Sequence, residues 1–360
     1  MVTKFRRAVG AAVLGTLTLS PLTACGGDTQ QSGDGRKDKT VTLVSHNSFA
    51  ASDEVLKEFT EETGYQVEVL RGGDAGAALN QAILSKDNPQ GDVFFGVDNT
   101  LLSRALDNDL FTPYEAKGLE KVSQEYQLDA EGHRVTPVDS GDVCVNYDRA
   151  YFDDRGLKPP RTLKDLADPR YKDLLVTQNA ATSSPGLVFL LATVAEYGDG
   201  WQDYWKKLRA NGVEVVDGWE QAYNDRFSGS GGGKGGDRPL VVSYASSPPV
   251  EVLGADPQPE QAPTGVVAGT CFRQIEFAGL LSGADNPDGG KALLDFLISK
   301  TFQEDVPLQM FVNPVREDAE LPEVFSKYGE KIADPYTLDP KEIADNREAW
   351  VKAWTSIAVR

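Results

Sequence analysis

The chain carries 360 residues, 55 of them acidic and 36 basic, for a formal net charge of −19. A surface this acidic repels phosphate backbones, which argues against a nucleic-acid partner, and it draws cations, small organic ones included. Two histidines and three cysteines give no Cys/His metal cluster, and no Ser–His–acid motif stands out by context.

Lys4, Arg6 and Arg7 precede an apolar run over residues 8–22, and the sequence then reads Leu22-Thr23-Ala24-Cys25. A basic start, a short apolar stretch and small residues before a cut are the parts of a secretory signal. The run falls short of the roughly 20 apolar residues of a membrane span. With its cysteine at the cut, it resembles a bacterial lipobox. That resemblance implies removal of residues 1–24, lipidation of Cys25 and a domain held at the outer face of the cell membrane. Residues 25–40 are mostly Gly, Ser, Asp, Gln and Lys and read as a flexible linker.

From Val41 short β runs alternate with amphipathic helices. Residues 41–44 read as a strand, 53–63 as a helix with Val55, Leu56 and Phe59 on one face, and 67–70 as a second strand. A helix over 77–86 follows, then a nearly all-apolar strand at 92–97 suited to burial on both faces. Asp98-Asn99-Thr100 supplies helix-start chemistry. The pattern restarts after an extended stretch at 136–147, with strands at 174–177 and 213–216 and helices at 185–197 and 200–210. Residues 240–244 are extended and read as a second crossing. Helices near 291–299, 301–306 and 342–356 close the chain. Strand–helix–strand spacings near thirty residues predict an α/β fold with mostly parallel sheets. Two lobes follow, one from residues 41–138 plus about 245–302, the other from 139–244 plus about 303–360.

Cys144 and Cys271 lie in β-like stretches. In an oxidising compartment two thiols favour one disulfide, and two buried free thiols are the alternative. Residues 228–237 (SGSGGGKGGD) lack the spacing of a phosphate loop, because Gly235 follows Lys234 where Ser or Thr is needed, and they read as a surface insertion.

Three segments leave strand ends with binding chemistry. Residues 215–223 present Trp219 and Tyr223 at helical spacing. Residues 241–249 end a strand on Tyr244 and a Ser-Ser-Pro turn. Residues 179–186 set Thr182, Ser183 and Ser184 before a helix, where hydroxyls and free N–H groups suit an anion or a polar ring edge. Open α/β sheets bind ligands beyond strand C-termini.

These residues also occur in a recognisable order. Ser48-Phe49-Ala50-Ala51, Gly96-Val97-Asp98-Asn99, Thr182-Ser183-Ser184-Pro185-Gly186, Gly218-Trp219-Glu220-Gln221-Ala222-Tyr223, Ser243-Tyr244 with Ser247-Pro248, Phe302-Gln303, Pro314-Val315 and Arg347-Glu348-Ala349-Trp350 succeed one another over about residues 41–360. The chain thereby resembles the thiamine-binding substrate-binding proteins of bacterial ABC importers. The resemblance implies a periplasmic-binding-protein-like fold of type II, with the ligand between the lobes. It also implies capture of thiamine or its mono- or diphosphate, delivery to a membrane permease, a monomer, no cofactor and no catalytic residue. Thiamine carries a permanent thiazolium charge, which calls for π-faces and a nearby carboxylate. The implied site is His46, Asp74, Asp98, Thr182, Ser183, Trp219, Tyr223, Tyr244 and Phe311. Asp74 is its acidic residue, and the turn at Thr182 and Ser183 is where a phosphate is held. Three positions depart from the family pattern: His46 replaces a tyrosine, Val250 an aromatic and Phe311 a tryptophan. The loss of aromatic surface implies weaker affinity or a related ligand, unless Tyr223, Tyr147 or Trp201 compensates. Two other readings remain. A thiaminase-like enzyme needs Cys144 or Cys271 as a free nucleophile. A ferric-iron receptor needs adjacent tyrosines, and no Tyr-Tyr pair occurs.

Overall fold

The protein, seen in a computed structural model, is described for residues 39–231 and 235–359. The leader, Cys25, nearly all of the linker and the centre of the Gly-rich insertion lie outside the described residues. Among the described residues no helix is long and apolar enough to cross a membrane.

The first lobe is built as its pattern demands. Strands β1 (Thr40–Ser45), β2 (Gln66–Arg71) and β3 (Val93–Asp98) run parallel, with β1 between the other two. The helix Asp53–Thr63 starts where the Ser52 hydroxyl accepts the Val55 N–H and ends at Gly64, whose φ of 78° an L side chain adopts only with strain. Val55 and Phe59, one turn apart, are its buried face. The helix Ala75–Leu84 is capped by the Asp74 carboxylate. Every residue of β3 is buried, as its apolar run predicts.

The remaining strands are β4 (Phe111–Thr112), β5 (Thr136–Asp148), β6 (Leu175–Gln178), β7 (Glu214–Val216), β8 (Leu240–Tyr244), β9 (Thr264–Leu281) and β10 (Asn313–Pro314). All ten join one curled sheet in the order β2-β1-β3-β9-β5-β8-β6-β7, with β4 on β9 and β10 on β5. β5 and β9 lie antiparallel from Thr136↔Ala278 to Asp148↔Thr264. The far end of β9 pairs with β3, and the far end of β5 pairs with β8. These two long strands are therefore the crossings between the lobes.

That corrects one expectation. Residues 240–244 do not cross; as β8 they sit inside the second lobe between β5 and β6. The exchange points move with it. Thr264 to Val267 pair with Val145 to Asp148 in the second lobe, so the chain returns to the first only along β9. Phe302, Val306, Val312 and Val315 pack with Val41, Phe59 and Phe296, so the stretch to residue 315 stays with the first lobe. The closing helix Pro340–Ala358 packs on the helix Trp201–Ala210, where Trp354 meets Trp205 edge to face at 5.4 Å.

A second apolar cluster runs under both lobes, from Leu79, Phe94 and Leu101 to Val188, Phe189 and Trp205. Its centre is the helix Ser184–Tyr197, which is buried on every side from Ser184 to Val194 and apolar all round for that reason. Cys144 on β5 and Cys271 on β9 form a disulfide at a sequence separation of 127.

Candidate functional site

The loops that leave β1, β2, β6, β7 and β8 converge on one cleft. His46 and Ser48 come from the first, Asp74 from the second, Ser184 and Pro185 from the third, Trp219 and Tyr244 from the last two. β9 adds Glu276, and the chain after the helix Lys300–Gln309 adds Met310 and Val312. The cleft between these residues encloses about 480 Å³, open solvent at its mouth included. Hydrogen bonds join its two sides directly.

Asp74 shows how. Its Oδ1 accepts the Ala75 N–H at 2.7 Å, capping its own helix in the first lobe. Its Oδ2 accepts the Trp219 N–H at 2.9 Å, and Oδ1 meets the Ser184 N–H at 3.4 Å, both from the second lobe. The Ala77 N–H donates to the Thr182 carbonyl at 3.0 Å beside it. Such contact needs bare backbone. A Cβ on Gly218 would stand 2.9 Å from Asp74 Oδ2, and one on Gly76 2.9 Å from the Thr182 carbonyl oxygen. Burial raises the Asp74 pKa, while the Trp219 and Ala75 N–H groups oppose the shift.

Trp219 is a braced wall. Its indole stacks on Tyr223 at 5.0 Å and 12°, and its Nε1–H donates to Ser243 Oγ at 2.9 Å. Ser243 Oγ and Ser247 Oγ lie 2.8 Å apart, and Ser247 Oγ accepts the Tyr244 N–H at 3.2 Å, tying both aromatics to one hydroxyl pair. Tyr223 donates its hydroxyl to Glu251 Oε1 at 2.7 Å. It supports Trp219 from behind and does not line the cleft.

The floor is acidic. Glu276 on β9 is the register partner of Asp139 on β5, and burial, then the Asp139 charge, raises its pKa well above the usual range. Burial likewise pushes Asp139 up to about 7. His46 Nε2 lies 3.7 Å from Glu276 Oε1 without a hydrogen-bond partner. Burial, then the Arg71 charge, lowers the His46 pKa to about 4, so its ring is neutral at pH 7. Asp98 sits below. Its Oδ1 accepts from the N–H and hydroxyl of Thr100 and the Leu101 N–H, and its Oδ2 from the Ser184 hydroxyl and Gln274 Nε2.

Of the residues expected from sequence, His46, Asp74, Trp219 and Tyr244 line the cleft. Asp98 and Tyr223 are buried beneath it, each bonded to a residue of the wall or its support. Thr182 and Ser183 are displaced by their neighbours Ser184 and Pro185; the Thr182 hydroxyl is turned to the Asp217 carbonyl at 2.8 Å. Phe311, at φ 63°, yields the wall to Met310 and Val312, while its carbonyl accepts from the Ser246 hydroxyl at 2.6 Å. Val250 lies in the turn Pro248–Val252 and Trp201 starts a buried helix. The Tyr147 hydroxyl is held by Arg149 at 2.6 Å. Tyr223, Tyr147 and Trp201 all lie outside the cleft lining, so none of them restores its aromatic surface. Sequence reasoning missed Glu276. A carboxylate flanked by Ile275 and Phe277, the one acidic residue of its strand, was the available signal.

Residues 88–331 match the family of bacterial extracellular solute-binding proteins. The chain belongs to that family. Over 321 residues this solute-binding protein is 28% identical to the thiamine-binding periplasmic protein of Salmonella typhimurium, spanning 87% of this chain and 92% of the relative. Over 323 residues it is 29% identical to the thiamine-binding periplasmic protein of Escherichia coli, again 87% and 92%. A solved periplasmic thiamin binding protein superposes with a TM-score of 0.77 at 26% identity, covering 89% of this chain and 96% of that one. The two-lobed architecture expected from sequence is thus that of the family.

Proposed function

We propose that this protein is a monomeric, cofactor-free receptor that closes its lobes on thiamine and delivers it to an ABC permease, tethered by lipid on Cys25. The carrying observation is the cleft itself: Trp219 and Tyr244 offer π-faces, His46 a neutral ring, and Asp74 and Glu276 the carboxyl groups that a thiazolium requires. The relatives named for thiamine support the same ligand. Among the described residues no lysine or arginine lines the cleft, and a phosphate there would face Asp74 and Glu276. Free thiamine is therefore preferred to its mono- and diphosphate.

Binding needs no covalent step. Cys144 and Cys271, either of which a thiaminase-like reaction would need as a free nucleophile, are joined in the disulfide. Ferric iron is served poorly, because Tyr244 is the one tyrosine among the described residues lining the cleft. Titration of tryptophan fluorescence with thiamine, its phosphates and Fe³⁺ tests the proposal. Saturable quenching by thiamine at micromolar concentration is expected; silence toward every thiamine form refutes it.

A further inference from the structure

The cleft floor contains a pair of carboxyl groups that the capture of a solute does not by itself explain. Asp139 and Glu276 face each other across β5 and β9 as direct register partners. Asp139 is 1% exposed and Glu276 7%, and Asp139 Oδ2 has no hydrogen-bond partner. Among the described residues neither is ion-paired to lysine or arginine; the one basic ring within 4 Å is His46. Two carboxylates side by side at such depth do not both ionise. Glu276, however, forms part of the cleft wall, and beside it the unpartnered Nε2 of His46 is buried in the same wall.

Resting on the thiamine reading above, we infer that the Asp139–Glu276 pair holds a proton in the ligand-free protein and releases it to solvent when a fixed organic cation enters. Capture is then coupled to proton release. A quaternary thiazolium has no proton to lose, so the positive charge it brings replaces the one that leaves, and the balance of charge on the floor is kept. An uncharged ligand of the same shape brings no replacement and leaves the proton in place.

The surrounding groups fit this exchange. Asp98, facing Glu276 from β3, accepts from Thr100, Leu101 and Gln274, and Asp74 at the helix start beyond β2 accepts from Ala75 and Trp219; burial raises the pKa of both, and these donors oppose the shift. Burial raises Glu276 most, and the neighbouring carboxyls of Asp139, Asp98 and Asp74 add to it. The Tyr244 hydroxyl on β8 is pushed up by burial and by Glu276 and stays neutral. His46 is neutral too, with Arg71 of β2 adding to the effect of burial. Asp139 and Glu276 are the two carboxyl groups that face each other directly across this floor, and burial raises both, Asp139 to about 7.

The test compares thiamine with 3-deazathiamine, its uncharged isostere in which carbon replaces the thiazolium nitrogen. Calorimetry at about pH 7, in phosphate and in Tris, counts protons from the difference in apparent enthalpy. Thiamine is expected to release about one proton and to bind up to about tenfold more tightly per pH unit between about pH 6 and 8. The isostere is expected to release none and to show no pH dependence. Glu276→Gln is expected to abolish the release and to cut the preference for thiamine over the isostere by about tenfold or more. Thiamine binding with no proton release, or equal release by both compounds, overturns the inference and leaves the receptor reading standing. Undiminished release from Glu276→Gln also overturns it, by placing the proton elsewhere. If neither compound binds, the receptor reading falls and this inference with it.

Discussion

Asp74→Ala separates two roles that one carboxylate plays. The cap on the Ala75–Leu84 helix exists whether the lobes are apart or together, so its loss lowers stability by about 1 kcal/mol and cancels from ligand affinity. The bonds to the Trp219 and Ser184 N–H groups exist only when the lobes meet. A hydrogen bond to a charged group contributes about 1.5–3 kcal/mol. The 2.9 Å bond to Trp219 earns that range, while the 3.4 Å approach of Ser184 adds little. Thiamine affinity is then expected to fall by about 10- to 150-fold. Asp74→Asn keeps one acceptor oxygen and should fall in between. Isothermal titration gives the affinity, and small-angle scattering with and without thiamine gives the closure. A change in Kd under about twofold for Asp74→Ala, with closure intact, would show that the clasp does not hold the lobes together.

Trp219→Ala removes a π-face worth about 0.5–2 kcal/mol against a cation, so binding should weaken roughly 2- to 30-fold; unchanged affinity by titration places the ligand elsewhere. Replacing Cys144 and Cys271 together by serine frees a loop with a separation of 127 residues, and on the chain-entropy model costs about 5 kcal/mol of stability. Urea unfolding reads this loss, and a shift under about 1 kcal/mol contradicts it. For Asp139, the folded pKa of about 7 exceeds the ordinary 3.8, so folding takes up a proton and the wild type loses stability as pH rises between those values. Asp139→Asn lacks that loss. Its stability relative to wild type should improve with pH from about 4 to 7, by on the order of 1 kcal/mol per pH unit, and a flat difference in urea midpoints across that range refutes the buried-acid account.

Local chemistry made much of the scaffold legible. The helix Asp53–Thr63 has both its boundaries written in neighbouring residues, Ser52 at one end and Gly64 at the other. β3 announced its burial by an unbroken apolar run. β8 was misplaced because an extended apolar segment reads alike whether it crosses between lobes or fills one of them. Partners decide that, and the partners of β8 lie in β5 and β6, far along the chain. Trp219 and Tyr244 were legible because aromatics beyond strand ends are a local signature, whereas His46 and Asp74 were implied by the family resemblance alone. Thr182 and Ser183 missed the wall by a residue or two, since helix phase at Ser184 decides which side chain looks inward.

By itself, the sequence determined the alternation of strands and helices, the acidic surface, the pairing partners available to two cysteines and the strand-end aromatics. These follow from periodicity and composition, which act over a few residues. Only the tertiary structure decided that Asp74 clasps Trp219 across 145 positions of sequence and that Glu276 meets Asp139 on the neighbouring strand. Desolvation and charge–charge repulsion depend on distance in space, and the long crossings β5 and β9 set that distance. The carboxyl groups that matter most for a cationic ligand gain their character there.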